Sequence, residues 1–198
     1  ENIFNGNNYE IYYTLTNSSN SSVALFNTLG VKGRIENLKI NANITQNNIS
    51  SITSLYVSAL CVYNYGTIEN CTVNAFSYTS SLNKSIDFYF GALACNNYGI
   101  VSKSFNKAII NLDGIKTQHE IRNSNLYVGG IVYNNTVSPS SSRTYGKVLQ
   151  CGNEGNIRIY AKTFVVGGVV ASAHVNSSIE ECYNKGNIEG FVTTTGNA

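Results

Sequence analysis

The chain contains few of the residues on which many enzymes and membrane proteins depend. Its 198 residues include no methionine, no tryptophan, one proline and two histidines, and charged residues make up 12%. No apolar run reaches the length of a membrane-spanning helix, and no signal peptide is visible, as expected where one has been removed. The missing methionine indicates a processed chain or a segment of a longer repeat protein. The net charge of +2, without a basic stripe, argues against nucleic acid as a partner.

Residues for catalysis or metal binding are also scarce. The aspartates are Asp87 and Asp113, so the clustered carboxylates of a polysaccharide-cleaving enzyme are not evident. His119 and His174 lie far from every cysteine in the sequence, and no C-x-x-C pair, nucleophile elbow or phosphate loop occurs. We therefore predict no catalytic residue, no metal site and no cofactor.

What the sequence does contain is a motif that recurs along the chain. Gly33-Arg-Ile-Glu-Asn-Leu-Lys-Ile40 returns as Gly66-Thr-Ile-Glu-Asn-Cys-Thr-Val73, and looser copies start at Gly99, Gly146 and Ser178. A second motif lies between the copies, as Val57-Ser-Ala-Leu60, Phe90-Gly-Ala-Leu93, Val128-Gly-Gly-Ile131 and Val166-Gly-Gly-Val169. A period of this length indicates one supersecondary unit stacked on copies of itself, so function is expected on a long outer surface rather than in a cleft.

Each copy has the composition of β-strands. Short runs rich in Ile, Val, Tyr and Thr are bounded by Gly, Asn and Ser, and no stretch keeps a helical apolar period for three turns. Ile68 and Cys71 cannot share a face of one unbroken strand, which predicts a bend at Glu69-Asn70. A strand, a corner and a second strand describe one coil of a parallel β-solenoid. A β-sandwich and a β-propeller are the alternatives, although a propeller blade needs about 40 residues.

Stacked coils place equivalent residues in columns about 4.8 Å apart. Two inward columns are predicted. The first consists of Ile35, Ile68, Val101, Val148 and Ile179, and the second, next to it, consists of Leu38, Cys71, Ser104, Cys151 and Cys182. Two further columns are the small residues Ala59, Ala92, Gly130 and Gly168, which predict a narrow interior, and an aromatic ladder of Tyr65, Tyr98 and Tyr145. Glu36, Glu69 and Glu180 share a position that is typical of a solvated face.

Four segments combine the two motifs in a longer pattern. They are Val128-Gly-Gly-Ile-Val132, Gly146 to Ile157, Val166-Gly-Gly-Val-Val170 and Ile179 to Ile188. These segments resemble the GLUG-type repeat. Phe4-Asn-Gly-Asn-Asn-Tyr-Glu-Ile11 is similar to the F-x-G-x-G-Y-x-I motif that precedes such repeats, with asparagine in place of the second glycine. The family recurs in large surface-exposed and secreted proteins, often called adhesins, with a right-handed β-helix. The resemblance covers nearly the whole chain and implies this fold and an extracellular or cell-surface location, but it assigns no activity because the repeated residues are structural.

These patterns together predict an all-β fold, a right-handed parallel β-solenoid (β-helix) of about five coils with loop insertions. We expect one domain over residues 1–198, with an N-terminal coil over residues 1–32 and repeats that start near 33, 66, 99, 146 and 178. The insertions are expected at 134–144, which contains Pro139, and near 113–125.

The N-x-Ser/Thr sequons are the candidate modification sites. They are Asn17, Asn20, Asn43, Asn48, Asn70, Asn83, Asn134 and Asn176. Their number is close to what this composition produces by chance, but most lie in polar stretches between strands, where a glycan has room. We expect several of them to carry sugar if a eukaryotic secretory pathway makes the chain. The most favoured positions are Asn17, Asn43, Asn83, Asn134 and Asn176, and Asn70 is less favoured because it adjoins the inward Cys71.

The odd number of cysteines leaves at least one of the five without a partner in the chain. Cys61 and Cys95 lie in adjacent predicted coils, one position out of register, and are the candidate disulfide pair. Cys151 and Cys182 are also near enough to bridge, but together with Cys71 they are better explained as small apolar residues of an inward column.

Two classes of function fit these features. The first is a non-catalytic extracellular structural or adhesive repeat protein, such as a glycosylated component of a surface fibre. The alternative is a carbohydrate-active β-helix protein, a polysaccharide lyase or hydrolase, which needs a groove with two or more acidic residues within reach of a sugar. Ice binding needs flat threonine ladders, and none recurs.

The expected partners follow from the end of the repeat array. The unit that starts at Ile179 stops before its Val-Gly-Gly strand, which leaves unpaired backbone groups. We therefore expect further repeats of the same chain, or copies that associate end to end, together with a glycan or another cell-surface ligand.

Overall fold

The computed structural model describes residues 2–48, 51–82, 84–112, 124–139 and 144–192. All regular secondary structure in these ranges is β-strand, and none of it is helix. The strands form five sheets in which neighbours run parallel. The prediction of an all-β chain with parallel sheets is therefore confirmed at this level.

Four of the sheets contain one strand from most of the repeats. Sheet 1 contains β1 (Asn2–Asn5), β5 (Gly33–Glu36), β9 (Thr67–Glu69), β13 (Ile100–Ser102), β18 (Lys147–Leu149) and β23 (Ser178–Glu180). Sheet 2 contains β2 (Glu10–Asn17), β6 (Lys39–Gln46), β10 (Thr72–Ser80), β14 (Phe105–Asn106), β19 (Gly152–Asn153) and β24 (Tyr183–Asn184). Sheet 3 contains β3 (Ser22–Val23), β7 (Ser54–Ser58), β11 (Asp87–Gly91), β16 (Asn125–Gly129) and β21 (Thr163–Gly167). Sheet 4 contains β4 (Phe26–Leu29), β8 (Cys61–Asn64), β12 (Ala94–Asn97), β17 (Val132–Asn135) and β22 (Val170–Ala173).

Sheet 5 is shorter and contains β15 (Ile110–Asn111), β20 (Ile157–Ala161) and β25 (Ile188–Val192). The chain passes through sheets 1, 2, 3 and 4 in that order and then returns to sheet 1, and sheet 5 is visited between sheets 2 and 3. Neighbouring strands in each sheet therefore come from successive repeats. This arrangement is consistent with a β-helix or solenoid.

One residue in each repeat turns the chain from sheet 1 into sheet 2 with a positive φ. These residues are Asn37 (φ 55°), Asn70 (51°), Lys103 (48°), Gln150 (54°) and Glu181 (52°). Asparagine tolerates the left-handed conformation, whereas the longer side chains are strained by it. Hydrogen bonds along the column hold the corner, since Asn37 N donates to Glu69 O and Asn70 N donates to Ser102 O, each at 3.1 Å. The bend predicted at Glu69-Asn70 is confirmed.

The predicted inward columns form the core. Ile35, Ile68, Val101 and Val148 are in register and at most 1% exposed. Ile179 is in register with Val148 but is exposed, because β23 is the last described strand of sheet 1 and no further strand covers it. The neighbouring column contains a hydroxyl group at Ser104. Its Oγ accepts a hydrogen bond from Cys71 N at 3.0 Å and donates to Ser102 O at 2.7 Å, so this buried polar group is satisfied.

The column of small residues marks a narrow part of the interior. Ala59 and Ala92 are buried, and Ala59 N donates to Ala92 O at 3.1 Å. A Cβ on Gly130 would overlap the carbonyl oxygen of Gly168 and would lie 2.7 Å from Cγ of Asn153. Larger side chains are therefore excluded here, as the sequence predicts.

The two predicted insertions fall partly outside the described residues, which include neither 113–123 nor 140–143. Asp113 and His119 lie in the first of these gaps. At the second insertion, Val137 pairs with Tyr145 across an antiparallel bridge, and Ser138 N donates to Thr144 O at 2.8 Å. The two ends of this insertion therefore lie side by side where the chain leaves the sheets and where it returns.

Candidate functional site

The stacked glutamates of sheet 1 belong to an ion-pair network. Arg34 Nε lies 2.5 Å from Glu36 Oε2, and Nη2 of the same guanidinium contacts Glu69. Lys103 Nζ lies 3.1 Å from Glu69 Oε1. The partners are partly exposed, so each pair contributes at most about 1 kcal/mol to stability. The network neutralises two carboxylates that would otherwise repel each other across adjacent strands.

A shallow groove of about 340 Å³ beside this network is lined by three glutamates, Glu69, Glu180 and Glu181. In the register of sheet 1, Glu69 aligns with Ser102, Ser102 with Leu149 and Leu149 with Glu180. Three strand steps of about 4.8 Å place Glu69 and Glu180 roughly 14 Å apart along the sheet. The paired carboxyl groups of glycosidases are about 5–9.5 Å apart. The spacing of these two positions therefore does not match such a pair.

A ladder of asparagine side chains runs through the buried side of sheet 4. Asn64 Nδ2 donates to Asn97 Oδ1 at 2.7 Å, and Asn97 Nδ2 donates to Asn135 Oδ1 at 2.8 Å. All three side chains are fully buried. Asn64 Oδ1 also accepts a hydrogen bond from Gly66 N at 3.1 Å, which tightens the turn into the next strand.

A second asparagine ladder lies in sheet 2. Asn106 Nδ2 donates to Asn153 Oδ1 and Asn153 Nδ2 donates to Asn184 Oδ1, each at 2.7 Å. Asn106 Oδ1 accepts from Ala108 N at 3.2 Å, so the same turn geometry recurs. Neither ladder was predicted from the sequence. Their signal is an asparagine two residues before glycine, as in Asn64-Tyr-Gly66 and Asn153-Glu-Gly155.

A group of tyrosines, called here the tyrosine surface, lies on the outer side of sheets 3 and 4. It consists of Tyr56, Tyr63, Tyr89, Tyr127 and Tyr133. Tyr56, Tyr89 and Tyr127 share one register position of β7, β11 and β16. Their ring centroids are 4.7 and 4.9 Å apart and the rings are within 12° and 15° of parallel. Tyr133 approaches Tyr89 to 4.9 Å, and Tyr63 approaches Tyr56 to 6.1 Å.

The stacking of the rings determines which of their atoms can contact solvent or a ligand. All five side chains are half-buried, and in the row formed by Tyr56, Tyr89 and Tyr127 each ring covers a face of its neighbour. Ring edges and hydroxyl groups remain to meet solvent. The tyrosine surface is therefore better suited to hydrogen bonding than to stacking a ligand on a free aromatic face.

The tyrosine surface lies at a tight corner between sheets 3 and 4. Gly91, Gly129 and Gly167 end the strands of sheet 3 there, and a Cβ on any of them would overlap a carbonyl oxygen of the sheet 4 strand in the same repeat. Cys95 is fully buried next to the rings, and its Sγ donates to Tyr89 O at 3.3 Å. Burial raises the pKa of Cys95 and raises that of Tyr89 to about 12.

Polar side chains border the row of stacked rings on sheet 3. Tyr89 Oη donates to Asp87 Oδ2 at 3.5 Å, and Asn125 Nδ2 donates to Asp87 Oδ1 at 2.8 Å. Thr163 Oγ1 in turn donates to Asn125 Oδ1. Asp87, Asn125 and Thr163 share one register position. These hydrogen bonds hold the carboxylate of Asp87 beside the hydroxyl group of Tyr89, which lies two residues further along the same strand.

The predicted ladder of Tyr65, Tyr98 and Tyr145 is present in part. Tyr65 and Tyr98 are stacked, with centroids 4.6 Å apart and an interplanar angle of 12°. The ring of Tyr145 lies 6.0 Å from that of His174. The three tyrosines line one open groove of about 350 Å³.

All five cysteines are described and carry free thiols. Cys61 is in register with Ala94 and not with Cys95. Successive residues of a strand point to opposite faces, so Cys61 packs in the core while Cys95 lies on the side of the tyrosine surface. The candidate disulfide between Cys61 and Cys95 is not formed in this structure.

We expect a thiol reagent to modify Cys182 in the native protein and the other four cysteines only after unfolding. Cys182 is half-buried, whereas Cys61, Cys71, Cys95 and Cys151 are fully enclosed. Burial raises the pKa of Cys61, Cys71 and Cys151 to about 12, so mild alkali does not convert them to reactive thiolates. Absorbance titration with and without denaturant measures the number of thiols. Two fewer thiols than cysteines in the denatured, unreduced protein would show a disulfide.

The sequons differ in accessibility. Asn20, Asn43, Asn48, Asn70 and Asn176 are exposed, Asn134 is half-buried, Asn17 is buried, and Asn83 lies outside the described residues. Asn17 Nδ2 donates to Gln46 Oε1 and to Asn20 O, each at 2.7 Å. The amide nitrogen to which a glycan would attach is thus already engaged at Asn17.

The described part of the chain contains no group of three or more His, Cys, Asp or Glu side chains that could hold a metal ion. His174 lies at a turn, where its carbonyl oxygen accepts a hydrogen bond from Ser177 N at 2.9 Å. In the same ranges no helix has the length and apolar character needed to cross a membrane. Comparisons with protein-family models, with curated proteins and with solved structures found no match to this chain.

Proposed function

We propose that this chain is a non-catalytic extracellular structural or adhesive repeat protein. The main support for this proposal is that the polar side chains are paired with one another inside the scaffold. The buried asparagines hydrogen-bond one another from strand to strand, and the stacked carboxylates of sheet 1 bind Arg34 and Lys103. Side chains spent on such contacts stiffen a long scaffold and are not available for acid–base chemistry.

The proposed scaffold is a right-handed parallel β-solenoid of about five coils. The constant order of sheets 1 to 4 and the register of equivalent residues support this form. A relationship to GLUG-type surface proteins is part of the proposal and rests on the repeated Val-Gly-Gly and Asn-x-Gly motifs. The outer surface of such a solenoid is long enough to present the tyrosine surface and several glycans side by side.

Association end to end, or with further repeats, is the proposed form of assembly. Among the described strands, β1 and β23 each pair with a single neighbour in sheet 1. Apolar side chains are exposed near both edges, with Phe4 at 41% and Ile179 at 44%. A further strand at either edge would bury them and pair the open backbone groups.

One experiment separates this proposal from the carbohydrate-active alternative. Purified protein is imaged by electron microscopy and is also incubated with neutral and acidic polysaccharides, with released reducing ends and unsaturated uronates as the readout. We expect end-to-end particles and no product. One result would overturn the proposal of a non-catalytic protein. In it, the wild type forms product, Glu69→Gln does not, and the matched exposed variant Glu154→Gln still does.

Glycosylation is expected at exposed sequons and not at Asn17. Chain made in a eukaryotic secretory host should be heavier than the bare polypeptide, with Asn43 and Asn176 among the occupied positions because their side chains reach solvent. Intact mass before and after glycosidase, followed by peptide mapping, measures the occupancy. The variant Asn43→Gln should lose one glycan, whereas Asn17→Gln should leave the mass of sugar unchanged. An unmodified wild type would contradict the expectation.

A further inference from the structure

Three pairs of tyrosines on the outside of this fold are held in one repeating geometry. Tyr56–Tyr89, Tyr89–Tyr127 and Tyr65–Tyr98 have ring centroids 4.7, 4.9 and 4.6 Å apart, with interplanar angles of 12°, 15° and 12°. In the first two pairs the residues face each other directly in adjacent parallel strands. The pairing therefore belongs to the sheet and does not depend on a chance contact of mobile side chains.

We propose that these stacked pairs are sites of oxidative dityrosine cross-linking between successive repeats. The oxidant is a peroxidase that uses hydrogen peroxide. Each of two phenols gives up one electron and its hydroxyl proton, and the two phenoxyl radicals join through the ring carbons next to oxygen. The two ring hydrogens then move to the oxygens and restore both phenols. One hydrogen peroxide takes up the two electrons and two protons and becomes two water molecules.

The sheet supplies the geometry that this coupling needs. Residues that face each other in adjacent strands have Cα atoms about 4.8 Å apart, so equivalent carbons of both rings are adjacent. A bond between two radicals requires that the second radical form beside the first. In this ladder Tyr89 has a tyrosine partner on each side, Tyr56 on one and Tyr127 on the other. Coupling within the chain is thus favoured over coupling between chains, because the effective concentration of the partner is high.

Asp87 makes Tyr89 the preferred place for the first radical. Burial and the nearby Asp87 raise the pKa of Tyr89 to about 12, so the phenol is protonated at neutral pH and has to lose its proton as it is oxidised. The carboxylate Oδ2 of Asp87 lies 3.5 Å from Tyr89 Oη and accepts its hydrogen bond, so it is placed to take that proton. Tyr65 and Tyr98 are stacked equally closely and form a second, independent pair.

The test treats a dilute solution of the protein with peroxidase and limiting hydrogen peroxide. Dityrosine fluorescence, gel mobility under denaturing conditions and mass mapping of linked peptides are measured. We expect the product to run as a monomer on the denaturing gel. Its links should join Tyr89 to Tyr56 or Tyr127, and Tyr65 to Tyr98. The variant Tyr89→Phe should lose the first group of links and keep the second. Asp87→Asn should slow formation of the Tyr89 links without slowing the Tyr65–Tyr98 link.

Tyr160→Phe is the matched control, since the ring next to Tyr160 is Phe191 and not a tyrosine, and it should yield every link of the wild type. Circular dichroism of each variant checks that the fold is kept, and the Tyr65–Tyr98 link serves as an internal standard in the same sample. Links formed only between chains would overturn the proposal. So would links that persist unchanged in Tyr89→Phe among peptides containing Tyr56 or Tyr127.

Discussion

Replacing Asn97 by leucine is expected to lower the free energy of unfolding by about 3 kcal/mol. Asn97 is the middle rung of the sheet 4 ladder. It accepts from Asn64 Nδ2, and its own amide donates to Asn135 Oδ1 and, at 3.1 Å, to Lys147 O. Leucine has a similar volume but offers none of these contacts. The groups left behind are buried, where each unsatisfied donor or acceptor costs about 1–3 kcal/mol.

Asn27→Ala is the control for this substitution. Asn27 lies on β4 of the same sheet, is exposed, and hydrogen-bonds Ser22 and Thr28 at the surface. Water replaces those contacts, so a change within about 0.5 kcal/mol is expected. Urea unfolding followed by circular dichroism measures both variants. A loss below about 1 kcal/mol for Asn97→Leu would mean that the ladder contributes to shape but little to stability.

Gly129→Ala is expected to cost at least about 3 kcal/mol or to prevent folding. The added Cβ would overlap the carbonyl oxygen of Val132 and would approach Tyr133 N to 3.0 Å. Both are backbone atoms of the strand that follows the corner, so no side chain can move aside to relieve the contact. The corner would have to open, which would also displace the ring of Tyr133 from Tyr127.

Gly30→Ala provides the comparison for the same chemical change. A Cβ at Gly30 would have no heavy atom within 4 Å. The substitution removes freedom only from the unfolded chain, so a change between zero and a gain of about 1 kcal/mol is expected. Thermal unfolding of the two variants side by side measures the difference. Equal stability of Gly129→Ala and Gly30→Ala would show that the corner is pliable.

The columns of the core were predictable because repetition alone specifies them. Ile35 and Ile68 occupy the same place in two copies of one motif, so any stacked fold aligns them. The bend at Asn70 was predictable from a change in the alternation of inward and outward residues. The positions of Cys61 and Cys95 were harder to predict from the sequence. An offset of one position decides which face of the sheet a side chain occupies, and here both faces are buried.

Only one row of the tyrosine surface could have been predicted from the repeats. Tyr56, Tyr89 and Tyr127 precede the second motif by one residue in three copies, which is a readable signal for a row. The approach of Tyr133 to Tyr89 depends on how sharply sheet 3 turns into sheet 4. That angle is set by backbone contacts at Gly91 and Gly129, and a contact between two sheets leaves no periodic trace in the sequence.

The asparagine ladders also give the fold a direction. The bonds between neighbouring rungs all donate toward the C-terminal repeats, from Asn64 to Asn97 to Asn135, and Asn135 Nδ2 then donates to Ser178 O. The second ladder runs the same way from Asn106 to Asn184. Within these two buried ladders the side-chain amide dipoles are aligned, with the acceptors facing the N-terminal repeats and the donors facing the C-terminal repeats. Copies stacked head to tail would continue these chains, whereas copies stacked head to head would oppose like groups, so a fibre built from this protein should be polar along its length.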